Sequence, residues 1–397
     1  MLSPCPDGTR CGRSRFDLGS VVGVAGELRG YGATVRTLNA LEGIDQAVGR
    51  TPLVRLGRLF PGADVWAKLE ALNPGGSAKD RSAVALVSDA LASGRLRAGD
   101  TLVESTSGNF GVALARLAVR HGFAFRAVVD PRANPATLAV IRALGGELDP
   151  VTEPDPVTGD WLMARIARVR EFLAGNPHAV WLDQYSNRAS VAAHTVTMAE
   201  ILESLDSRVD VLLVATSTTG TIGGCLQEVR RRGLSTRVVA VDAVGSVLFD
   251  GVRGDRRLSG YGAGLVPRLA QGLVLDDVIR VADADAVIAC RVLARAEGIL
   301  AGASSGAVTA AALKLAGTFS PGARVAMIFH DRGEAYLDTV YSDAWVEAVL
   351  GLDAADVAAR VGAVVEPVGP AFRARPDADT ETRRQGPPVG VRVRARG

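Results

Sequence analysis

Apolar residues fall along this chain in two alternating rhythms. Short β-prone runs, nearly continuous in apolar character, occur at 65–69, 101–103, 126–129, 211–215, 238–241 and 325–329. Between them lie longer stretches with helical spacing, at 82–93, 111–121, 135–144, 161–173, 191–205, 222–232, 284–296 and 305–315. Within 161–173, Trp161, Ile166, Val169 and Phe172 form a roughly helical stripe that should face a core. Strands without polar alternation are buried on both faces, and strand–helix–strand order makes them parallel. The pattern predicts an α/β fold of parallel sheets covered by helices on both faces. Ligands of such folds bind at the carboxyl ends of the strands, so the loops after the strands are where chemistry is sought.

The two ends of the chain depart from this rhythm. Residues 1–40 are rich in Gly and Arg with weak periodicity, which predicts an N-terminal extension, partly ordered at best. From about residue 365 the chain is rich in Pro, Arg, Gly and Asp and lacks the apolar content to fold, which predicts a disordered tail. The start has no apolar core of a secretory signal, and no apolar run reaches membrane-spanning length. With 48 % apolar and 22 % charged residues and a net charge of +2, the 397 residues read as a soluble protein without a nucleic-acid-binding face. Cys5, Cys11, Cys225 and Cys290 show no zinc or redox spacing, and Cys225 and Cys290 fall in helical patterns as small buried residues. A reducing cytoplasm fits. His121, His178, His194 and His330 show no metal-ligand spacing, although His330, at a strand end, could border a site.

Four loops carry candidate chemistry. The first is NPGGSAKDR, 73–81. Arginine is abundant in this chain, yet there are only three lysines: Lys68, Lys79 and Lys314. Arginine stays protonated and is a poor nucleophile, whereas a lysine amine can lose its proton and form a Schiff base. On these residues alone, Lys79 is either a solvated loop lysine or such an amine. A nucleotide P-loop needs Gly-Lys-Ser/Thr, and Ala78 and Asp80 flank Lys79 instead, so nucleotide binding is rejected. The second loop, ESTSGNFG at 104–111, offers either helix capping by Ser107 or Asn109 or an anion site for a carboxylate. The third, TSTTGT at 216–221, has five hydroxyl residues in six positions before a helix, more than one cap requires, and suits a phosphate. In the fourth, GASSGA at 302–307, Ser304 and Ser305 could cap a helix.

Together, in this order and with GRTPLVRL at 49–56, the four strings resemble the pyridoxal-phosphate enzymes of the cysteine synthase and cystathionine β-synthase family, fold type II. The resemblance spans about residues 51–343. It implies two three-layer α/β domains with mostly parallel sheets: a large cofactor-binding domain of 41–79 and 186–350, and a small mobile domain of 80–185. It further implies a cytoplasmic homodimer acting on small amino-acid substrates. By motif, Lys79 would hold the aldehyde of pyridoxal 5'-phosphate, and Asn109 would bond the ring hydroxyl. Ser217, Thr218, Thr219, Gly220 and Thr221 would bind the phosphate, and Ser304 would face the pyridine nitrogen. Thr106, Ser107 and Gly108, with Gln184, would take the substrate carboxylate, and Gly262, within GYGAG, would border the substrate amine. A serine opposite the ring nitrogen supplies no negative charge to keep it protonated, so the ring is a weaker electron sink and loss of a β-substituent is favoured. Lys79 would move the Cα proton. The implied reaction is β-replacement on an L-serine with an activated hydroxyl.

Several strings depart from the cysteine synthase pattern. Ser105 and Phe110 stand where that pattern has Pro and Thr, and 128–138, 240–249 and 329–343 are also unusual. These variants resemble the branch that joins O-phospho-L-serine to L-glutamate, releasing phosphate, to make a precursor of 2,3-diaminopropionate for siderophores and peptide antibiotics. Such substrates call for cations, and Arg132, Arg165 and Arg188 are candidates, with Tyr185 beside them. The alternatives are cysteine synthesis from sulfide, a serine or threonine dehydratase, and a catalytically silent interaction protein on the same fold. The intact Lys79, Asn109 and Ser304 argue against the last.

Overall fold

The computed structural model describes residues 40–106 and 108–365. The tail expected beyond 365, all but the end of the expected N-terminal extension, Cys5, Cys11 and Ser107 lie outside the described residues. The strands among those described are β1 (Leu53–Arg55), β2 (Asp64–Leu69), β3 (Thr101–Ser105), β4 (Ala124–Val129), β5 (Glu147–Pro150), β6 (Val211–Ala215), β7 (Arg237–Ala243), β8 (Asp277–Val281) and β9 (Arg324–Phe329). The helices are α1 (Lys79–Ala92), α2 (Asn109–His121), α3 (Pro135–Ala143), α4 (Trp161–Gly175), α5 (Ala189–Ser204), α6 (Gly220–Arg231), α7 (Asp283–Glu297), α8 (Ala303–Leu315), α9 (Asp343–Leu350) and α10 (Ala354–Val365). None of them is long and apolar enough to cross a membrane.

The strands form a six-stranded sheet in the order β1-β2-β9-β6-β7-β8 and a three-stranded sheet in the order β3-β4-β5. All pairings are parallel except β1 with β2. The sheets are thus mostly parallel, as expected, with one antiparallel pair at an edge. Only a short connection separates β1 from β2, too short for the crossover that a parallel pair requires.

The near-continuous apolar strands are explained by two cores that share them. Val211, Leu213 and Ala215 of β6 and Val325, Met327 and Phe329 of β9 join one core with α7 and α8. The intervening Leu212, Val214, Ala326 and Ile328 join the other, with α5 and α6. Successive side chains point to opposite faces, so a strand covered on both sides must be apolar at every position. The three-stranded half repeats this on a smaller scale. Leu102, Phe125 and Ala127 pack with Leu86, Ala90 and Leu114 of α1 and α2, while Val103 and Val128 pack with Val169 and Phe172 of α4.

The strands that periodicity did not reveal are the edges. β5 reads ELDP and β8 reads DVIRV, with charged residues that pair across the ladder, Arg126 with Glu147 and Arg237 with Asp277 at 2.7 Å. Charge on an edge strand discourages pairing with other chains and erases the apolar signal. Helix α10 was also unassigned, yet Val357 and Val361 add to the core of the larger half.

Candidate active site

Lys79 stands in the first turn of α1, and the turn before it is tightly bound. The Asp80 carboxylate accepts the Gly75 and Ser77 N–H groups at 3.0 and 3.2 Å. A Cβ on Gly75 would lie 2.3 Å from Asp80 Oδ1, so only glycine admits that carboxylate. The turn is stitched to the end of β9 by the Ala78 N–H to the His330 carbonyl, 2.7 Å, and by a bridge between Ser77 and Asp331. Burial alone pushes the Lys79 amine down to about 8. Its nearest polar partner is Thr218 Oγ1 at 3.5 Å. The sequence singled out Lys79 by its turn, and the structure sets it apart from the other two lysines. Lys68 is buried and held by Glu200 and the Thr51 carbonyl, both at 2.6 Å, and Lys314 is an exposed partner of Asp285. Lys79 alone of the three lines a cleft.

That cleft, of about 220 Å³, lies between the two halves of the fold. Thr106, Gly108, Asn109, Gln184, Ser217, Thr218, Thr219, Thr221 and Ser304 line it with Lys79, as the motifs led us to expect for a common site. Gly220 and Gly262 are not among the lining residues. Gly220 opens α6 where a Cβ would meet Ser190 Oγ at 2.6 Å, and Gly262 is wedged against Ala243 and Arg256, with Ser259 and Gly260 on the cleft wall instead. Ser107 lies outside the described residues.

Four helices begin at this wall with no cap from their N-cap side chains, although at α1 the Lys79 N–H is taken by Ser77 Oγ at 3.2 Å. Their N-cap residues are Ala78, Gly108, Thr219 and Gly302, for α1, α2, α6 and α8. The capping alternatives for Asn109, Ser304 and Ser305 are therefore excluded. By contrast α3, α4 and α9 are capped by Asn134, Asp160 and Ser342. Uncapped N-termini leave N–H donors and the positive end of the dipole for an anion. At α6 these donors are joined by the hydroxyls of Ser217, Thr218, Thr219 and Thr221, and Thr219 adopts the left-handed conformation, φ 64°. His194 supports the loop from below, with Nε2 3.3 Å from Thr221 Oγ1 and 3.2 Å from Ser82 Oγ. Burial keeps His194 neutral, well below the ordinary histidine range.

The loop after β3 is fixed by Glu104, whose Oε1 accepts from Trp181 Nε1 at 2.9 Å and from the Ser105 N–H at 3.0 Å. Gln184 Nε2 donates to the Ser105 carbonyl at 3.2 Å, so this side chain braces the loop as well as lining the cleft. Of the arginines proposed for the second substrate, Arg132 and Arg165 line the cleft and Arg188 does not. Arg132 and Arg165 pair with one shared carboxylate, Asp130, at 3.3 and 3.2 Å, so two guanidiniums stand together in that corner. Tyr185 also lines it, and burial raises its phenol to about 12. Sequence reasoning missed Asp331 and Tyr336, which line the cleft with His330. Their signal was position alone, since they follow the carboxyl end of β9.

An amine held near neutrality and an uncapped helix with four hydroxyls fit one kind of guest. That guest has an aldehyde for the amine and a phosphate for the helix, with a ring between them to meet Asn109 and Ser304. The donor set thus fits pyridoxal phosphate. Comparison with known proteins agrees. A family model described as pyridoxal-phosphate dependent enzyme matches residues 44–331. An N-(2-amino-2-carboxyethyl)-L-glutamate synthase of Ralstonia nicotianae is 43 % identical over 332 residues, 83 % of this chain and 96 % of that protein. An O-ureido-L-serine synthase structure superposes with a TM-score of 0.71 at 35 % identity, covering 78 % of this chain and 99 % of that one. An O-acetylserine-dependent cystathionine β-synthase from Helicobacter pylori superposes with a TM-score of 0.72 at 28 % identity, covering 77 % and 100 %. The chain belongs to the pyridoxal-phosphate-dependent enzyme family, fold type II, and pyridoxal phosphate is its cofactor.

Because burial is what depresses the Lys79 amine, covalent attachment of the cofactor to apoprotein should speed up with pH. The rate is expected to rise through about pH 8 and level off above it, where the amine is already free. Stopped-flow absorbance across pH 6–10, on the order of ten points, checks this. A rate independent of pH would show the amine to be neutral throughout.

Proposed function

We propose that the enzyme replaces the β-substituent of an activated L-serine. The donor is O-phospho-L-serine, the incoming group is the amine of L-glutamate, and the products are N-(2-amino-2-carboxyethyl)-L-glutamate and phosphate. The observation that carries this choice is the pair of guanidiniums, Arg132 and Arg165, in the wall that also holds Lys79. Sulfide needs no cation for recognition. A dicarboxylate amine and a phosphate leaving group do, and planar guanidiniums match both. The relative from Ralstonia nicotianae supports the same reading, and the product would serve the making of 2,3-diaminopropionate.

The roles are those that the motifs imply. Lys79 holds the cofactor, Asn109 meets the ring hydroxyl, and Ser304 offers a hydroxyl without charge to the ring nitrogen. Ser217 to Thr221 and the start of α6 hold the phosphate. When bound, the cofactor supplies an electron-withdrawing ring conjugated to the substrate Cα. Thr106, Ser107 and Gly108 orient the substrate carboxylate, in the loop that Glu104 and Gln184 brace at Ser105. Lys79 takes the proton from Cα and returns it after the new C–N bond has formed.

Substrate pairing tests the proposal. O-phospho-L-serine and O-acetyl-L-serine are each supplied with L-glutamate or with sulfide, and products are identified by mass spectrometry. Phosphoserine with glutamate is expected to give the C–N product with kcat/KM at least on the order of tenfold above any other pair, the discrimination one charged contact supplies. Preference for acetylserine with sulfide would instead assign cysteine synthesis, and keto acid without an added nucleophile would assign a dehydratase.

A further inference from the structure

Asp331 is a buried carboxylate in the cleft wall for which the reaction as described has no use. It follows β9, belongs to the larger half, and is bridged to Ser77 just before Lys79. Its Oδ2 accepts from Asn109 Nδ2 at 2.8 Å and from the Tyr336 hydroxyl at 2.6 Å. Its Oδ1 is buried with no partner and lies so near Gly302 that a Cβ there would sit 2.1 Å away. Asn109 stands at the start of α2, in the three-stranded half. The Asn109–Asp331 bond therefore crosses between the halves, next to a second crossing bond from Asn134 Nδ2 to the Ala335 carbonyl at 2.7 Å.

We propose that Asp331, braced by Tyr336, is a positioning residue that fixes the orientation of the Asn109 amide toward the cofactor ring. The argument is one of donors and acceptors. An asparagine amide can flip, exchanging its NH2 and carbonyl ends, and toward a ring oxygen only the NH2 end is useful. Burial raises the Asp331 carboxyl and the bonds from Tyr336 and Asn109 lower it; its Oδ2, already accepting from the Tyr336 hydroxyl, accepts from Asn109 as well and so takes the Nδ2 end. One N–H is held by Asp331, and the second stays on the same side for the ring oxygen. Tyr336 donates to the same Oδ2 and keeps the carboxylate from turning its other oxygen to Asn109. The proposal rests on the assignment of Asn109 to the ring made above.

The test is a double-mutant cycle read by cofactor binding. Apoproteins of the wild type, Asn109→Ala, Asp331→Ala and the double variant are titrated with pyridoxal phosphate, and the dissociation constant and visible absorbance band are recorded. Each single change is expected to weaken binding on the order of tenfold or more, the effect of losing a charge-assisted hydrogen bond, and to shift the band in the same direction. The double variant should bind no worse than Asn109→Ala, because residues that act through one another are not additive. Tyr336→Phe should show a smaller effect that also vanishes in the Asn109→Ala background, and this arm serves if Asp331→Ala does not fold. Losses that multiply in the double variants would overturn the proposal while leaving Asn109 on the ring. An Asn109→Ala protein with unchanged binding and spectrum would remove the assignment of Asn109 itself, and the proposal with it.

Discussion

Lys79→Ala is expected to lose both turnover and covalent attachment of the cofactor. Among the described residues the amine is the only one in the cleft, and removing a positioned acid–base group costs on the order of 10²–10⁴ in rate before the lost attachment is counted. Compensation by another lysine is closed off by the structure. Lys68 is locked between Glu200 and the Thr51 carbonyl, and Lys314 faces solvent beside Asp285. Borohydride reduction of the loaded enzyme followed by peptide mass spectrometry should place the cofactor's mass on Lys79 in the wild type and nowhere in the variant. Label on another lysine, or retained turnover, would remove Lys79 from the role given to it. Fold is not at stake in this test, because the turn around Lys79 is held by Asp80, Ser77 and the backbone, none of which uses the amine.

The largest loss of stability is expected from Arg81→Ala. Arg81 lies two residues after Lys79, almost fully buried, and its guanidinium bonds Glu70 at 2.6 and 2.9 Å and Glu200 at 2.7 and 2.8 Å. Lys68 completes the group, so two cations face two carboxylates. Removing Arg81 leaves Glu70 without its counter-ion in a site with 0 % exposure. Breaking a buried pair from one side costs about 3–5 kcal/mol. Denaturant unfolding of wild-type and variant apoproteins measures this, and a loss within about 0.5 kcal/mol, the range of ordinary surface changes, would refute it. The same network makes a statement about pH. Burial pushes the Glu200 carboxyl up, but hydrogen bonds from Arg81 and Lys68 outweigh it and hold the group down at about 2, against 4.5 unperturbed. Its contribution to stability is therefore complete above pH 4.5 and is lost as pH falls through about 2.

Much of the fold was legible because burial on both faces leaves a signature in each central strand. β6 and β9 are apolar at consecutive positions, since alternate residues serve two cores. The edge strands β1, β5 and β8 were not legible, because their short, charged sequences are what an edge requires. In the site, the hydroxyl run of 216–221 stood out as in excess of structural need, whereas Lys79 and Ser304 acquired their roles only from the resemblance. Asp331 and Tyr336 did not, because an aspartate and a tyrosine after a strand are ordinary until their hydrogen bonds are known.

The sequence by itself determined the alternation of the central strands with their helices, and pointed to the amine and to the loops that follow those strands. Those properties depend on neighbours in the chain, on side-chain period, turn glycines and hydroxyls placed before a helix. Only the tertiary structure decided that Lys68 is an ion-pair partner while Lys79 is kept near neutrality, that Arg132 and Arg165 reach the cleft and Arg188 does not, and that Asn109 meets Asp331 across 222 positions of sequence. Burial, charge compensation and hydrogen-bond partnership arise between segments distant along the chain, and no local pattern encodes which two will meet.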